Sequence, residues 1–294
     1  MSERDSSAEE KALEAQIRLK EAQLSVFRER VKELLSELQK LQGRVDQLTH
    51  GMALLQKALV PTEIPHFPGV DISSKFQAGA LNGGDYFDVF EHQDRMHLGL
   101  LLSSASSYSA SALFLGALIQ LIPDLQTQKF ASMDLALARL KEEVLGYFGE
   151  EDRVSLWLGT VDRRSFEVSF VSCGERMGFL LKDQASRLIK LEPSEEALSK
   201  KSSKNSLSQS VVLNPRDRLI LISPGILGAG NLDSEAFGFE RLQAACLKMR
   251  SEHLHELRNE ILFQSRSFLG SADPDRDQTL LILEVKDRVI KLAK

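Results

Sequence analysis

Hydrophobic residues recur every seven positions along the first part of the chain. Ile17, Leu24, Val31, Leu38, Val45, Met52 and Leu59 form one register, and Leu13, Phe27, Leu34, Leu41, Leu48 and Leu55 form the second, interrupted by Lys20. A seam sustained over about six heptads predicts a long coiled-coil helix. Branched Ile and Val at several a positions, with Leu at most d positions, favour a parallel two-stranded assembly. The expected homodimer contacts are therefore Ile17, Leu24, Val31, Leu34, Leu38, Leu41, Val45, Leu48, Met52 and Leu55. Residues 1–10 are expected to be disordered, with a capping box at Ser7 and Glu10 opening a helix over 11–60. Pro61 and Pro65 stop it. Gly43 and Gly51 weaken its interior, and Gly51 is the expected bending point. The alternative is an amphipathic helix folded back on its own domain, which has no need of a strict seven-residue period.

Beyond Pro61 the period changes. Strand-like stretches lie at 95–102 (RMHLGLLL), 153–161 (RVSLWLGTV), 165–170 (SFEVSF), 218–223 (RLILIS) and 279–285 (TLLILEV). In SFEVSF the alternation puts Phe166, Val168 and Phe170 on one face. Helical spacing appears over 131–148, around Phe239 to Met249, and from Glu252 to Phe268. The polar, serine-rich segment between Pro193 and Ser210 reads as a flexible surface loop. This irregular mixture, without a βαβ rhythm, predicts an α+β domain over 61–286 and a tail at 287–294.

One run, Leu98 to Ile122, contains no Asp, Glu, Lys or Arg. It is long enough to span a bilayer. Its centre is SSASSYS, however, and a spanning helix keeps its middle most apolar. The better reading is a buried strand ending at Leu102, a loop, and a helix from about Ser109. With no membrane span and no apolar leader at a charged N-terminus, a cytoplasmic location is expected. The net charge of −5 gives no basic footprint for nucleic acid. Cys173 and Cys246 lie far apart with no CxxC spacing, so neither a disulfide framework nor a zinc site is implied.

LNGGDYFDVF (81–90) resembles the Gly-Gly-Asp-Tyr-Tyr-Asp segment of the SpoIIE-like branch of PPM-type serine/threonine phosphatases. FVSCGERMGFLL (170–181), LNPRDRLILISPGILGA with the following FGFERL, and DPDRDQTLLILEV (273–285) are similar to later motifs of that family, in the right order. The resemblance implies an α-β-β-α sandwich behind the coiled coil. It also implies two divalent cations, Mn²⁺ or Mg²⁺, held by aspartates and activating a water against a phosphoserine or phosphothreonine. Substrates in the family are phosphorylated anti-sigma-factor antagonists, so a phosphoprotein regulator of that type is the implied partner.

Carried over residue by residue, the resemblance finds most ligands replaced. Asp85 stands at the first metal-binding position. The bridging aspartate falls on Ser103, the aspartate of the Thr-Asp-Gly motif on Pro224, and the leading aspartate of Asp-Asp-x-Thr on Arg276, with Asp277 and Thr279 kept. Serine is a weak neutral ligand, proline offers no side-chain oxygen, and arginine carries a fixed positive charge. Arg276 is accordingly expected to pair with Asp85 in place of a metal. The implied protein is a catalytically impaired phosphatase domain, a dimeric signalling regulator or binding module that needs no cofactor. Two other readings stay open. One is an active Mn²⁺- or Mg²⁺-dependent phosphatase with an atypical ligand set drawn from Asp85, Asp88, Asp275 and Asp277; the other is a structural coiled-coil adaptor. Asp273, Asp275 and Asp277 are otherwise read as a solvated turn, and His253 and His255 as surface residues.

Overall fold

The computed structural model describes residues 2–59, 61, 64–79, 84–127, 132–203, 207–231, 234–270 and 274–286. The chain divides into two compact units, Met1–Gly51 and Met52–Lys294. The first is made of one helix, α1 (Ser2–Leu59), which runs without interruption through Gly43 and Gly51. At 1.5 Å per residue its length is about 87 Å. The helix as described takes in residues 2–10. The expected capping box at Ser7 therefore lies inside the helix. Along α1 the apolar seam is bare, with Leu24, Phe27, Leu34, Leu38, Leu41 and Val45 all exposed.

The second unit is a sandwich of two antiparallel sheets. One has the order β1 (Val70–Gln77), β10 (Gln278–Val285), β9 (Arg218–Ile222), β6 (Gly178–Leu181), β7 (Ile189–Leu191). The other has the order β2 (Gly84–Glu91), β3 (His97–Ala105), β4 (Val154–Asp162), β5 (Glu167–Cys173), β8 (Gln209–Val212). Between the sheets, Phe87, Leu100, Leu102, Trp157 and Phe170 meet Leu219, Leu221, Leu281 and Leu283. Outside the second sheet, α2 (Tyr108–Gln126) and α3 (Met133–Val144) cover Tyr86, Phe90, Leu101, Leu156 and Leu158. Outside the first, α4 (Pro224–Leu227), α5 (Gly238–Lys248) and α6 (Leu254–Leu269) cover Phe179, Ile220, Ile222, Leu280 and Ile282. The α-β-β-α sandwich is thus the fold, and strands covered on both faces explain why they read as continuous apolar runs.

The uncharged run resolves into β3 and α2. The strand continues three residues past Leu102, and Ser107 caps the helix by accepting from the Ala110 amide at 3.0 Å. No helix among the described residues is long and apolar enough to cross a membrane. The segment after Pro193 is more ordered than its composition suggests. Leu198 is buried and pairs with Val154, and Glu195 reaches the buried Lys141 Nζ at 2.6 Å. Lys141 Nζ also donates to the Ser203 carbonyl at 2.9 Å. A buried cation recruits partners wherever it finds them, and here they come from this loop. The expected tail at 287–294 lies outside the described residues.

Candidate functional site

Strand alternation decides which side chains face the gap between the sheets. On β2, Asp85 shares parity with Phe87 and Val89, which belong to the inter-sheet core. On β3 the inward set is Leu98, Leu100, Leu102 and then Ser104, with Asp85 directly opposite Ser104 and Ser104 opposite Ser155. On β10 the inward set begins at Thr279, and on β9 it continues past Leu221 to Ser223. Asp85, Ser104, Ser223 and Thr279 therefore converge at one rim of the sandwich.

The convergence is polar and dry. Asp85 is 1% exposed, and its Oδ2 accepts from Thr279 Oγ1 at 2.8 Å. The hydroxyls of Ser223 and Ser104 also hydrogen-bond its carboxylate. Ser223 Oγ accepts from the Thr279 amide at 2.9 Å and stands 3.3 Å from the Asp277 carbonyl. Burial is the largest influence on Asp85 and pushes its pKa up from 3.8 to about 7. The hydroxyl donors pull it down, and the nearby Asp277 carboxylate pushes it further up.

Asp277 is itself buried, not part of a solvated turn as expected. Its Oδ1 accepts from the Gly79 amide at 2.8 Å and its Oδ2 from the Asp85 amide at 3.3 Å. It thereby ties the end of β1 to the start of β2. Two glycines let this backbone close in. A Cβ on Gly79 would stand 2.3 Å from the Arg276 carbonyl carbon, and one on Gly225 would stand 2.0 Å from the Asp277 oxygen. Either is far inside contact distance, so only glycine fits.

The other sequence-predicted positions lie elsewhere. Ser103 has the parity of Leu101 and Ala105 and faces the helices; its hydroxyl reaches the Tyr86 carbonyl at 3.4 Å. Asp88, three residues from Asp85, is likewise on the helix side, accepting from its neighbour's amide, Val89 N, at 2.7 Å. Pro224 is the buried first residue of α4. Arg276 stands on an exposed turn and its guanidinium is 3.4 Å from Glu175, so the expected Asp85–Arg276 pair gives way to an Arg276–Glu175 pair. Asp275 is exposed, and Asp273 falls outside the described residues. His253 and His255 are exposed as expected, with His255 Nδ1 bonded to Ser73 Oγ at 2.8 Å.

The sequence reading missed Ser104 and Ser223. The signal was present in the strand period: Leu98, Leu100 and Leu102 point to Ser104 as their inward successor. It was masked because Leu101, on the other face, is equally apolar. A pair of hard divalent cations needs several carboxylate oxygens. Among the described residues no three of His, Cys, Asp or Glu come together in a metal-binding group. Among the described residues the two carboxylates at this rim are both engaged by protein donors, fewer free oxygens than a pair of divalent cations draws on.

The family model for Stage II sporulation protein E (SpoIIE) matches residues 109–286. The SiaA PP2C domain of Pseudomonas aeruginosa superposes with a TM-score of 0.66 at 16% identity, covering 83% of this chain and 98% of that one. The RsbU and RsbW domains of a Mycobacterium tuberculosis protein give a TM-score of 0.65 at 19% identity over 78% of this chain. The PP2C phosphatase domain of Bacillus subtilis SpoIIE, with a fragment of its regulatory domain, gives 0.61 at 16% identity over 75%. This chain spans 64% of the length of each of the last two. None of the curated proteins matches the chain in sequence.

Proposed function

The chain belongs to the SpoIIE family of phosphatase-fold proteins, and from that premise we propose that it is a catalytically impaired member, a dimeric regulator or binding module. The observation that carries this reading is the enclosure of Asp85 by the hydroxyls of Ser104, Ser223 and Thr279. A relative of this fold holds two manganese ions, and a centre of that kind depends on several carboxylates around one water. Here three hydroxyls surround the inward carboxylate of Asp85. Each of these donors is a neutral hydroxyl, so the carboxyl is held by hydrogen bonds rather than by an opposite charge.

Regulation in this reading runs through α1. Its bare heptad seam supports a parallel two-stranded coiled coil, which would present two sandwiches as one dimeric unit. The partner is a phosphoprotein regulator of the anti-sigma-antagonist type, held or sequestered without turnover, in the cytoplasm.

The test combines calorimetric titration with Mn²⁺ and Mg²⁺ and a generic phosphoester assay. The wild type is expected to show neither saturable binding nor turnover. Introducing carboxylates at the inward serines, Ser104→Asp with Ser223→Asp, is expected to create metal-dependent thermal stabilisation. The same pair with Ser103→Asp in place of Ser104→Asp is expected to do nothing, since residue 103 faces the helices. Mn²⁺-dependent hydrolysis by the wild type, abolished by Asp85→Asn, would establish an active enzyme and overturn the proposal.

A further inference from the structure

Each sheet of the sandwich ends in two edge strands, and an edge strand leaves a row of backbone N–H and C=O groups facing outward. Three of the four edges are closed or blunted by the chain itself. On β2, the His92 amide donates to the His97 carbonyl, so even-numbered residues bond to β3 and odd-numbered ones face out. The outward amide of Asp85 donates to Asp277 Oδ2 at 3.3 Å, and that of Val89 to Asp88 Oδ1 at 2.7 Å. On β1, the bond from the Lys286 amide to the Gly69 carbonyl turns even-numbered residues outward. There the Val70 amide donates to the Phe67 carbonyl, and the Ser74 carbonyl accepts from Arg258 Nη1 at 3.2 Å. The β7 edge is three residues long with Lys190 at its centre, a length and a charge that discourage pairing.

The fourth edge, β8, has neither device. The Leu213 amide donates to the Phe166 carbonyl at 3.0 Å, so Gln209, Val211 and Leu213 bond toward β5 while Ser210 and Val212 present N–H and C=O outward. Among the described residues nothing meets those outward groups. Both side chains are exposed, Val212 at 52%. From Leu207 to Asn214 the chain reads LSQSVVLN, with no charge and no proline.

We propose that β8 pairs antiparallel with β8 of a second copy, joining the second sheets of the two chains into one across a two-fold axis. The occupant follows from the other edges. With β1, β2 and β7 closed or guarded, the edge that a copy leaves open among its described residues is β8 itself. An uncharged strand also sets no like charges against its copy, and a two-fold pair closes at two chains. An axis through Val211 keeps both faces in phase: Val211 meets Val211, and each Ser210 meets the Val212 of the other copy. Ser210 and Val212 then form the hydrogen-bonded pairs, and Val211 the close pair between them. Pairing through a four-residue strand is marginal by itself. The α1 dimer proposed above strengthens it by holding a second copy at high effective concentration, and the inference rests on that dimer to this extent.

Cross-linking of the full chain tests this. Opposed residues of a non-hydrogen-bonded pair lie about 4.5 Å apart at Cα, within disulfide reach. Under mild oxidation at low micromolar concentration, Val211→Cys is therefore expected to convert almost fully to a covalent dimer. Ser267→Cys, exposed on α6, is expected to remain uncross-linked, and the native Cys173 and Cys246 are buried. Adding Ser210→Pro to Val211→Cys removes an outward donor and leaves the bonds to β5 in place. It is expected to slow cross-linking by about tenfold or more, with the fluorescence of the buried Trp157 unchanged. Sedimentation of the wild type separates the two possible failures. A dimer whose Val211→Cys form cross-links no faster than Ser267→Cys, or whose cross-linking is undiminished by Ser210→Pro, overturns the β8 pairing and leaves the α1 dimer standing. If the wild type is monomeric at low micromolar concentration the α1 dimer falls, and the β8 pairing stands or falls on the Val211→Cys cross-link at high micromolar concentration.

Discussion

Asp85→Asn should stabilise this protein, and should do so only where the native carboxylate ionises. In the folded chain the group titrates at about 7 and at 3.8 when free. The folded state thus holds a proton that the unfolded chain has released anywhere between those values. Stability attributable to Asp85 is highest below about pH 4, falls as pH rises through that window, and levels off above about 7. At about 1.4 kcal/mol for each pH unit crossed, the penalty is on the order of 4 kcal/mol at pH 8 and under about 2 kcal/mol at pH 5. Asparagine is nearly isosteric and cannot ionise. It keeps a carbonyl to accept from Thr279 Oγ1, and the Ser104 and Ser223 hydroxyls can turn to accept from its amide. The assay is urea unfolding followed by the fluorescence of Trp157, the single tryptophan, which is buried and stacked on Phe170. Wild type and variant are compared at pH 5 and pH 8, so contributions from all other groups cancel. The variant should gain on the order of 4 kcal/mol in unfolding free energy at pH 8, read as a higher urea midpoint, with the gap shrinking by more than half at pH 5. A variant less stable than wild type at pH 8, or a gap independent of pH, would refute the reading of Asp85 as a buried, unneutralised carboxylate.

Lys141→Met should destabilise by about 3 kcal/mol, because it leaves Glu195 part-buried without its cation, and limited proteolysis should then cut near 195–203. Gly225→Ala should cost several kcal/mol or prevent folding, as its methyl would stand 2.0 Å from the Asp277 oxygen; a melting temperature within a degree or two of wild type would contradict this packing. His92 is buried with both ring nitrogens unpartnered and stacks on Phe90, and burial lowers its pKa from 6.5. The unfolded chain takes up that proton first as pH falls, so His92 subtracts stability below about pH 6.5. His92→Phe should therefore be neutral to stabilising by about 1 kcal/mol at pH 7 and gain more at pH 5, as read by urea midpoints.

An α+β domain was legible in the sequence because its central strands are long apolar runs and its helices keep a clear period, while the sandwich was implied by the family resemblance. The short strands β6, β7 and β8 were not, since four residues or fewer cannot display an alternation. The site was legible only in part. Asp85 follows two glycines and stands out, but Asp277 looks like a turn residue until Gly79 and Gly225 are seen packed against its backbone. Ser103 and Ser104 differ only in parity, and a strand buried on both faces erases the contrast that would assign it. Arg276 was placed by the motif carry-over and paired with Asp85 by charge, and charge cannot show that an exposed carboxylate is within reach at Glu175.

The glycines of this rim and its carboxylates answer to different physical demands. Gly79, Gly84 and Gly225 each sit where a Cβ would press on a neighbouring strand or turn, so the backbone of the rim depends on them whether or not a metal is bound. Carboxylates are different. Gathered without a cation they repel one another and resist burial. Ser104 and Ser223 present neutral hydroxyl donors to Asp85, and Pro224 suits the first position of a helix. Asp85 is the residue of the set that still bears the cost of burial. Its three hydroxyl donors reduce that cost without removing it, so of all the rim positions it alone should gain stability when its charge is taken away.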